Sequence, residues 1–408
     1  MNICFKFFLS IAFSVGLTFT AAAQNKNYIY ADVILKNKQV ITGVVKWSGG
    51  QILWTDVLQV NKSNALALKY LKKYQLDKLP GNSKAESLDW QFMNLWKDKL
   101  PERNKEMLCR FGDIRSIHIT GSREAQVFYK SGSKIRISAD QDDKNLGKDI
   151  VVYGKKTYKV SWNKISRINF RSTGAASFPW KGEPLYGTVY TSNGPITGFI
   201  RWDKTKFAKS GTLFGKSNDR TMSVKFAQIK KIEKKDKGAT VTLHSDRQVF
   251  LYGSRDVSTS NKGIVVMDPQ GGNVLIEWAA FKSVNFHGQK TEIDYNTFVR
   301  PKRIYAQVFT TDESVLKGNC TFDMDEEWNF ELLEGSLNHI HYQIPFHYIT
   351  SIIPKNESQS KVKLKNGKSL SLSRENDVTA KNWGLIIWLK NSKYEYRPWT
   401  EISKIFFR

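Results

Sequence analysis

The chain has 408 residues, 40% of them hydrophobic and 13% aromatic, a content that excludes general disorder and suits two or three packed domains. Lys and Arg number 63 against 38 Asp and Glu, giving a formal net charge of +25 that favours anionic partners such as acidic glycans, lipopolysaccharide phosphates, nucleic acid or anionic lipid headgroups. A merely soluble surface carries the same excess, so charge gives the sign of a partner and not its identity.

Lys6, the apolar stretch Phe7 to Phe19 and the small residues Ala21-Ala22-Ala23 read as a secretory signal over residues 1–23, cleaved near Ala23/Gln24. The apolar stretch is shorter than the roughly 20 residues of a membrane span, an uncleaved N-terminal anchor being the alternative reading, and no later segment looks capable of spanning. The expected location is the periplasm or the cell exterior.

Three stretches follow, over about 28–170, 185–286 and 303–408, and they share a spaced signature. In chain order it is Asp140, Asn145, Gly147, Trp162, Ile165, Ile168 and Phe170, then Asp256, Asn261, Gly263, Trp278, Phe281, Val284 and Phe286, then Asp377, Asn382, Gly384, Trp399, Ile402, Ile405 and Phe407. The offsets from each Asp are 5, 7, 22, 25, 28 and 30 throughout. Upstream, Gly43, Gly198 and Gly318 each precede an aromatic residue by four positions (Trp47, Trp202, Phe322), and Phe111-Ile114-Ile117 recurs as Phe226-Ile229-Ile232 and Phe346-Ile349-Ile352. Each stretch therefore reads as two related half-units. Within them, Val362-Lys363-Leu364 and Leu370-Ser371-Leu372 alternate around Asn366-Gly367, a hairpin signal, and Val241 to Leu251 alternates likewise. The first stretch carries an insert in which Ser83 and Glu86 form a capping box. Leu88, Phe92, Leu95, Trp96 and Leu100 share one face up to Pro101, predicting a helix near 83–100. Polar segments at 171–184 and 287–302 read as linkers.

Repetition governs the reading of candidate sites. The Asp and Asn of the signature could offer oxygens to calcium, but one of each per unit falls short of the about six to eight that calcium takes. They read as loop braces, with Gly supplying a backbone conformation other residues avoid. Trp47, Trp202, Trp162, Trp278 and Trp399 fall at core positions, whereas Trp54, Trp90, Trp180, Trp328, Trp383 and Trp388 lie outside the shared set and are the better candidates for exposed platforms. Cys109 and Cys320 replace core aliphatics of the other units, predicting two buried free thiols. His339, His341 and His347 are the one histidine cluster and a weak metal candidate, with His339 and His341 on one face of a strand. Lys230, Lys231, Lys234, Lys235 and Lys237 are the best local anion site. There is no phosphate-cradling Gly loop, exposed-Ser elbow or pair of carboxylates at a known spacing, and no cofactor is expected.

The half-units resemble the small SH3-like and Sm-like barrels, with PRC-barrel domains close in shape, through Val362-Lys363-Leu364, Asn366-Gly367, Asp377, Asn382, Ile402 and Ile405 and the matching Val241, Leu243, Asp256 and Asn261. The whole chain is similar to exported repeat proteins of Gram-negative bacteria. The resemblance implies an all-β chain of three tandem repeats, each of two small barrel-type half-units, plus the one inserted helix. The Asp-to-Asn gap is longer than in the Sm pattern, so RNA recognition does not carry over and nucleic acid is not the expected partner. The leading functional expectation is a non-catalytic binding scaffold of the cell envelope that engages anionic glycans or other envelope polymers. A protein–protein assembly module and an envelope-polymer hydrolase are the alternatives.

Overall fold

The computed structural model describes residues 25–63, 65–80, 104–139, 145–173, 182–268, 271–289, 292–298, 300–390 and 392–408. The signal segment, the helix expected near 83–100, Asp140, Trp90 and Trp180 lie outside the described residues. The protein is all-β. Among the described residues the α-helices are two single turns, Ala65–Leu68 and Lys73–Leu76, and none is long and apolar enough to cross a membrane.

Strands form where apolar residues alternate with polar ones. In Gln248–Tyr252, Val249 and Leu251 are buried while Phe250 is exposed, and in Ser369–Ser373, Leu370 and Leu372 point inward. Antiparallel registers set like against like, Val241 opposite Val249 and Val362 opposite Leu370.

The strands assemble into two large antiparallel sheets, one of ten strands and one of twenty. The first runs Asn104–Arg110, Val57–Ser63, Lys134–Ser138, Glu124–Tyr129, Ile114–Ile119, Ile165–Phe170, Tyr30–Leu35, Val40–Lys46, Ile150–Tyr153, Thr157–Val160. Its opening strand, Tyr30–Leu35, pairs with both the next strand and the closing one. Tyr186–Thr191 does the same with Gly194–Arg201 and Phe281–Phe286, as does Tyr305–Thr310 with Val315–Phe322 and Ile402–Phe407. Gly272–Ile276 then pairs with Ile340–Pro345 and joins these two strand groups into the larger sheet. Separate small closed barrels are therefore not what the strands build. Pairing between the opening and closing strands, and between neighbouring groups, carries the hydrogen-bond ladder across the boundaries at which half-unit barrels would have closed.

The segment read as a linker at 287–302 is a docking element. Ile293, Tyr295 and Phe298 are buried against the core of the first group, and Tyr295 Oη donates to the Ile114 carbonyl at 2.9 Å. Trp54, expected at the surface, is fully buried there. It packs against Tyr295 in a tilted arrangement at 4.8 Å and edge-to-face against Phe170 at 6.2 Å, and its Nε1 donates to the Lys26 carbonyl. Arg201 ties the second group to the first through a two-point ion pair with Asp56, which also accepts the Ile52 and Leu53 amides at 2.6 and 2.7 Å.

Signature polar residues shape one loop. Asn261 Nδ2 donates to the Asp256 carbonyl at 3.1 Å while its Oδ1 accepts the Gly263 amide at 2.9 Å, and Asn382 does the same with Asp377 and Gly384 at 3.1 and 2.8 Å. Gly384 has φ +88°, and a side chain there would meet the Arg397 carbonyl oxygen at 2.3 Å. Asn261→Ala strands the buried Gly263 amide and removes one of the two side-chain hydrogen bonds on the Asp256 carbonyl, so we expect a loss of about 1–3 kcal/mol in denaturant unfolding. A loss below about 0.5 kcal/mol would show that the loop keeps its shape without the brace.

Candidate functional site: an acidic cleft between the first and third strand groups

A strongly charged concavity lies where the first strand group meets the third. Val57–Ser63 contributes Lys62, and Asn104–Arg110 contributes Lys105, Glu106 and Leu108. The third group supplies Asp323, Asp325 and Glu326 from the turn after Phe322, Glu331, Leu332 and Glu334 from the following strand and its approach, and Glu375, Asn376 and Asp377 from the signature loop. The cleft encloses about 190 Å³. Glu106 and Asn376 are exposed at its mouth, whereas Asp323, Glu326, Glu331 and Asp377 are buried.

Two lysines neutralise part of this charge. Lys62 Nζ donates to Glu331 Oε1 and to the Asp325 carbonyl, both at 2.7 Å, and lies 3.4 Å from Asp325 Oδ2. Burial opposes the Lys62 charge, but Glu331, Asp325 and Glu326 outweigh it and hold the ammonium above its ordinary range. Lys105 Nζ meets Asp323 Oδ2 at 2.8 Å and sits 4.3 Å from the centre of the Trp383 ring. The other carboxylates are poorly compensated. Burial pushes Glu334 up to about 7, with Glu106, Glu375 and Asp325 adding to the rise against a Gln343 hydrogen bond. It also drives Glu326 and Asp377 well above the carboxylate range, reinforced by the neighbouring acids.

A carboxyl whose folded pKa lies above its unfolded value binds more protons in the folded state, so its contribution to stability falls as pH rises between the two. For Glu334 that window runs from about 4.5 to about 7. Glu334→Gln should match the wild type near pH 4.5 and exceed it by roughly 2 kcal/mol at pH 8, after allowance for its partial exposure. Melting curves of both proteins across that range check this, and parallel curves would contradict it.

The residues singled out from the sequence are placed differently. Lys230 pairs with Asp246 at 2.7 Å, Lys231 and Lys235 share Glu233 at 2.7 and 3.2 Å, and Lys234 donates to the Trp278 carbonyl at 2.7 Å. Lys237, exposed on the turn, has no ion pair among the described residues. Four of the five are thus engaged by local partners. His339 and His341 meet at Glu277, with His339 Nδ1 at 3.0 Å and His341 Nε2 at 2.7 Å from its carboxylate oxygens. His347 lies apart, where its Nδ1 donates to the Asn329 carbonyl at 2.9 Å and burial, helped by Arg110, lowers it to about 4. Among the described residues no three His, Cys, Asp or Glu side chains converge as metal ligands. Cys109 and Cys320 are buried and free. Trp162, Trp278 and Trp399 are buried, as is Trp383, while Trp328 and Trp388 are half-buried.

Ser336, His341 and Glu277 have the connectivity of a hydrolase triad, with Ser336 Oγ 2.9 Å from His341 Nδ1. The surroundings oppose that chemistry. Ser336 is 2% exposed, and its hydroxyl lies 3.3 Å from Glu375 Oε1, a carboxylate that destabilises any oxyanion formed there.

The acidic cleft escaped sequence reasoning because its lysines and carboxylates come from strand groups far apart in the chain. A signal was present in Asp323, Asp325, Glu326, Glu327, Glu331 and Glu334, an acidic run inside a basic protein.

The fold and cleft define an all-β protein of large antiparallel sheets with a largely buried acidic site. No protein-family model matches the chain, and no curated protein matches it. A solved structure described as "Streptogramin B lyase structure" aligns over 73% of this chain and 94% of its own length at 11% identity, with a TM-score of 0.13, which carries no argument about fold or activity.

Proposed function

We propose that the chain is an exported, non-catalytic binding scaffold of the cell envelope, made of three diverged copies of one ten-stranded unit, that engages anionic polymers through its basic surface. The distribution of charge between interior and surface carries this reading. Among the described residues, eight carboxylates (Asp56, Asp113, Asp203, Asp256, Asp323, Glu326, Glu331 and Asp377) are buried against three cations (Lys62, Arg110 and Arg201). Among the described residues the buried charges are thus net acidic, which leaves the exposed ones with a larger positive excess than the described residues as a whole. With the lysine cluster dispersed among local partners, attraction is spread over the surface, which suits a long polymer that gains affinity from many weak contacts. The copies are supported by the shared offsets of the signature and by the recurrent pairing of opening and closing strands. Export is supported by Lys6, the apolar stretch and the three alanines ahead of Gln24.

Retention of the mature chain on columns of envelope glycans, heparin and DNA, beside an equally basic unrelated protein, tests this. Retention beyond the control on an envelope glycan is the expected result. Retention equal to the control on every polymer would reduce the charge to a solubility feature.

A further inference from the structure

The second and third strand groups contain the same turn with one charge reversed. After Trp202, Asp203 and Lys204 take positive φ (51° and 59°), and Lys206 bridges back to Trp202. The Lys206 ammonium pairs with Asp256 Oδ2, which also accepts the Phe214 amide at 2.7 Å. In the third group Phe322 and Glu326 form the same bridge, Asp323 and Met324 take the positive φ (42° and 64°), and Asp377 Oδ2 accepts the Glu334 amide at 2.7 Å. Glu326 stands where Lys206 stands. The ammonium that satisfies the signature Asp of the second group is thus replaced by a second carboxylate, and Glu326 and Asp377 are each 8% exposed.

Lys62 and Lys105 offset part of this charge from a distance, with no ion pair to Glu326 or Asp377 among the described residues. Glu326 Oε2 is buried without a hydrogen-bond partner among the described residues, and so is Asp325 Oδ1. Lys62 is held by Glu331 and Asp325, and Lys105 by Asp323, with Asp325 Oδ1 3.9 Å from the Lys105 ammonium. Buried carboxylates without counter-ions are costly, and the cleft beside them opens to solvent.

We infer that this cleft binds a linear aliphatic diamine or polyamine, one ammonium of which takes the place beside Glu326 and Asp377 that Lys206 takes beside Asp256. The lining suits such a ligand along its length. Leu108 and Leu332 offer apolar contact to the methylenes, and Glu106 and Glu375 lie where a second ammonium would reach the mouth. An extended organic cation also fits better than a metal ion, because no three carboxylates converge as metal ligands among the described residues. Lys62 and Lys105 already show that an ammonium on an alkyl stem is accommodated among these acids. Because burial favours the protonated forms of Glu326 and Asp377, binding displaces protons and tightens as pH rises.

The probe is 1,4-diaminobutane, titrated calorimetrically into the full mature chain at constant ionic strength, at pH 6 and pH 8. The expected result is saturable binding, tighter at pH 8 and weakened at least tenfold by Glu326→Gln. Glu326→Lys supplies the ammonium internally, so it should melt at higher temperature than the wild type and lose the diamine response. Absence of binding by the wild type, or undiminished binding by Glu326→Gln, overturns the assignment. So does tighter binding of calcium or magnesium than of the diamine. The Gln variant keeps the test decisive if Glu326→Lys fails to fold.

Discussion

Lys62→Met is expected to destabilise the protein by about 3–5 kcal/mol, the range for removing one partner of a buried ion pair. The Lys62 ammonium is the one cation held directly by both Glu331 and Asp325, and all three side chains are at most 4% exposed. Methionine retains the length and apolar stem, so the loss isolates the charge from the packing. What remains is a set of buried carboxylates with Lys105 as the nearest counter-ion, paired mainly with Asp323. Folding of that variant is expected to recover at low pH, where the orphaned carboxyls protonate, and this recovery separates an electrostatic loss from a steric one. Chemical denaturation at pH 5 and pH 8 measures both. A loss of the same size at each pH would locate the effect in packing.

Trp202→Ala is expected to cost about 3–5 kcal/mol, in line with truncation of large buried aromatics. Trp202 is fully buried, packs against Phe281 at 5.4 Å, Phe226 at 6.2 Å and Trp278 at 6.3 Å, and donates from Nε1 to the Asp256 carbonyl at 2.9 Å. It therefore links the core of the second group to the loop that Asn261 braces, and its removal opens a cavity and leaves Asn261 as the remaining side-chain donor to the Asp256 carbonyl. Tyr190→Ala, on a side chain 39% exposed, serves as the control and should stay within about 0.5 kcal/mol. Equal losses in the two variants would contradict the placement of Trp202 in a close-packed core.

Both effects bear on what a sequence can disclose. The strands were legible because alternation such as that of Val249 and Leu251 reports which residues face inward, and that signal is local. The Asp, Asn and Gly of the signature were legible as loop residues for the same reason, since Asn261 and Gly263 interact across two positions. Relations between distant strands were not. The pairing of Gly272–Ile276 with Ile340–Pro345, which extends the sheet past any small barrel, depends on two strands that carry no mark of each other. The burial of Trp54 was not legible because its partner Tyr295 lies in a segment whose polar composition reads as a linker. Lys62 and Glu331 are 269 residues apart, and neither position is unusual until the first and third groups meet. The reversal from Lys206 to Glu326 is different. It was open to inspection once the three stretches were aligned, but its meaning depends on knowing that Lys206 contacts the signature Asp.

Salt dependence is the most direct test of a scaffold that holds anionic polymers by distributed charge. The affinity of the full mature chain for a retained acidic glycan should fall linearly on a logarithmic scale, losing roughly tenfold or more between about 50 and 200 mM salt. An affinity unchanged across that range would contradict binding through the basic surface.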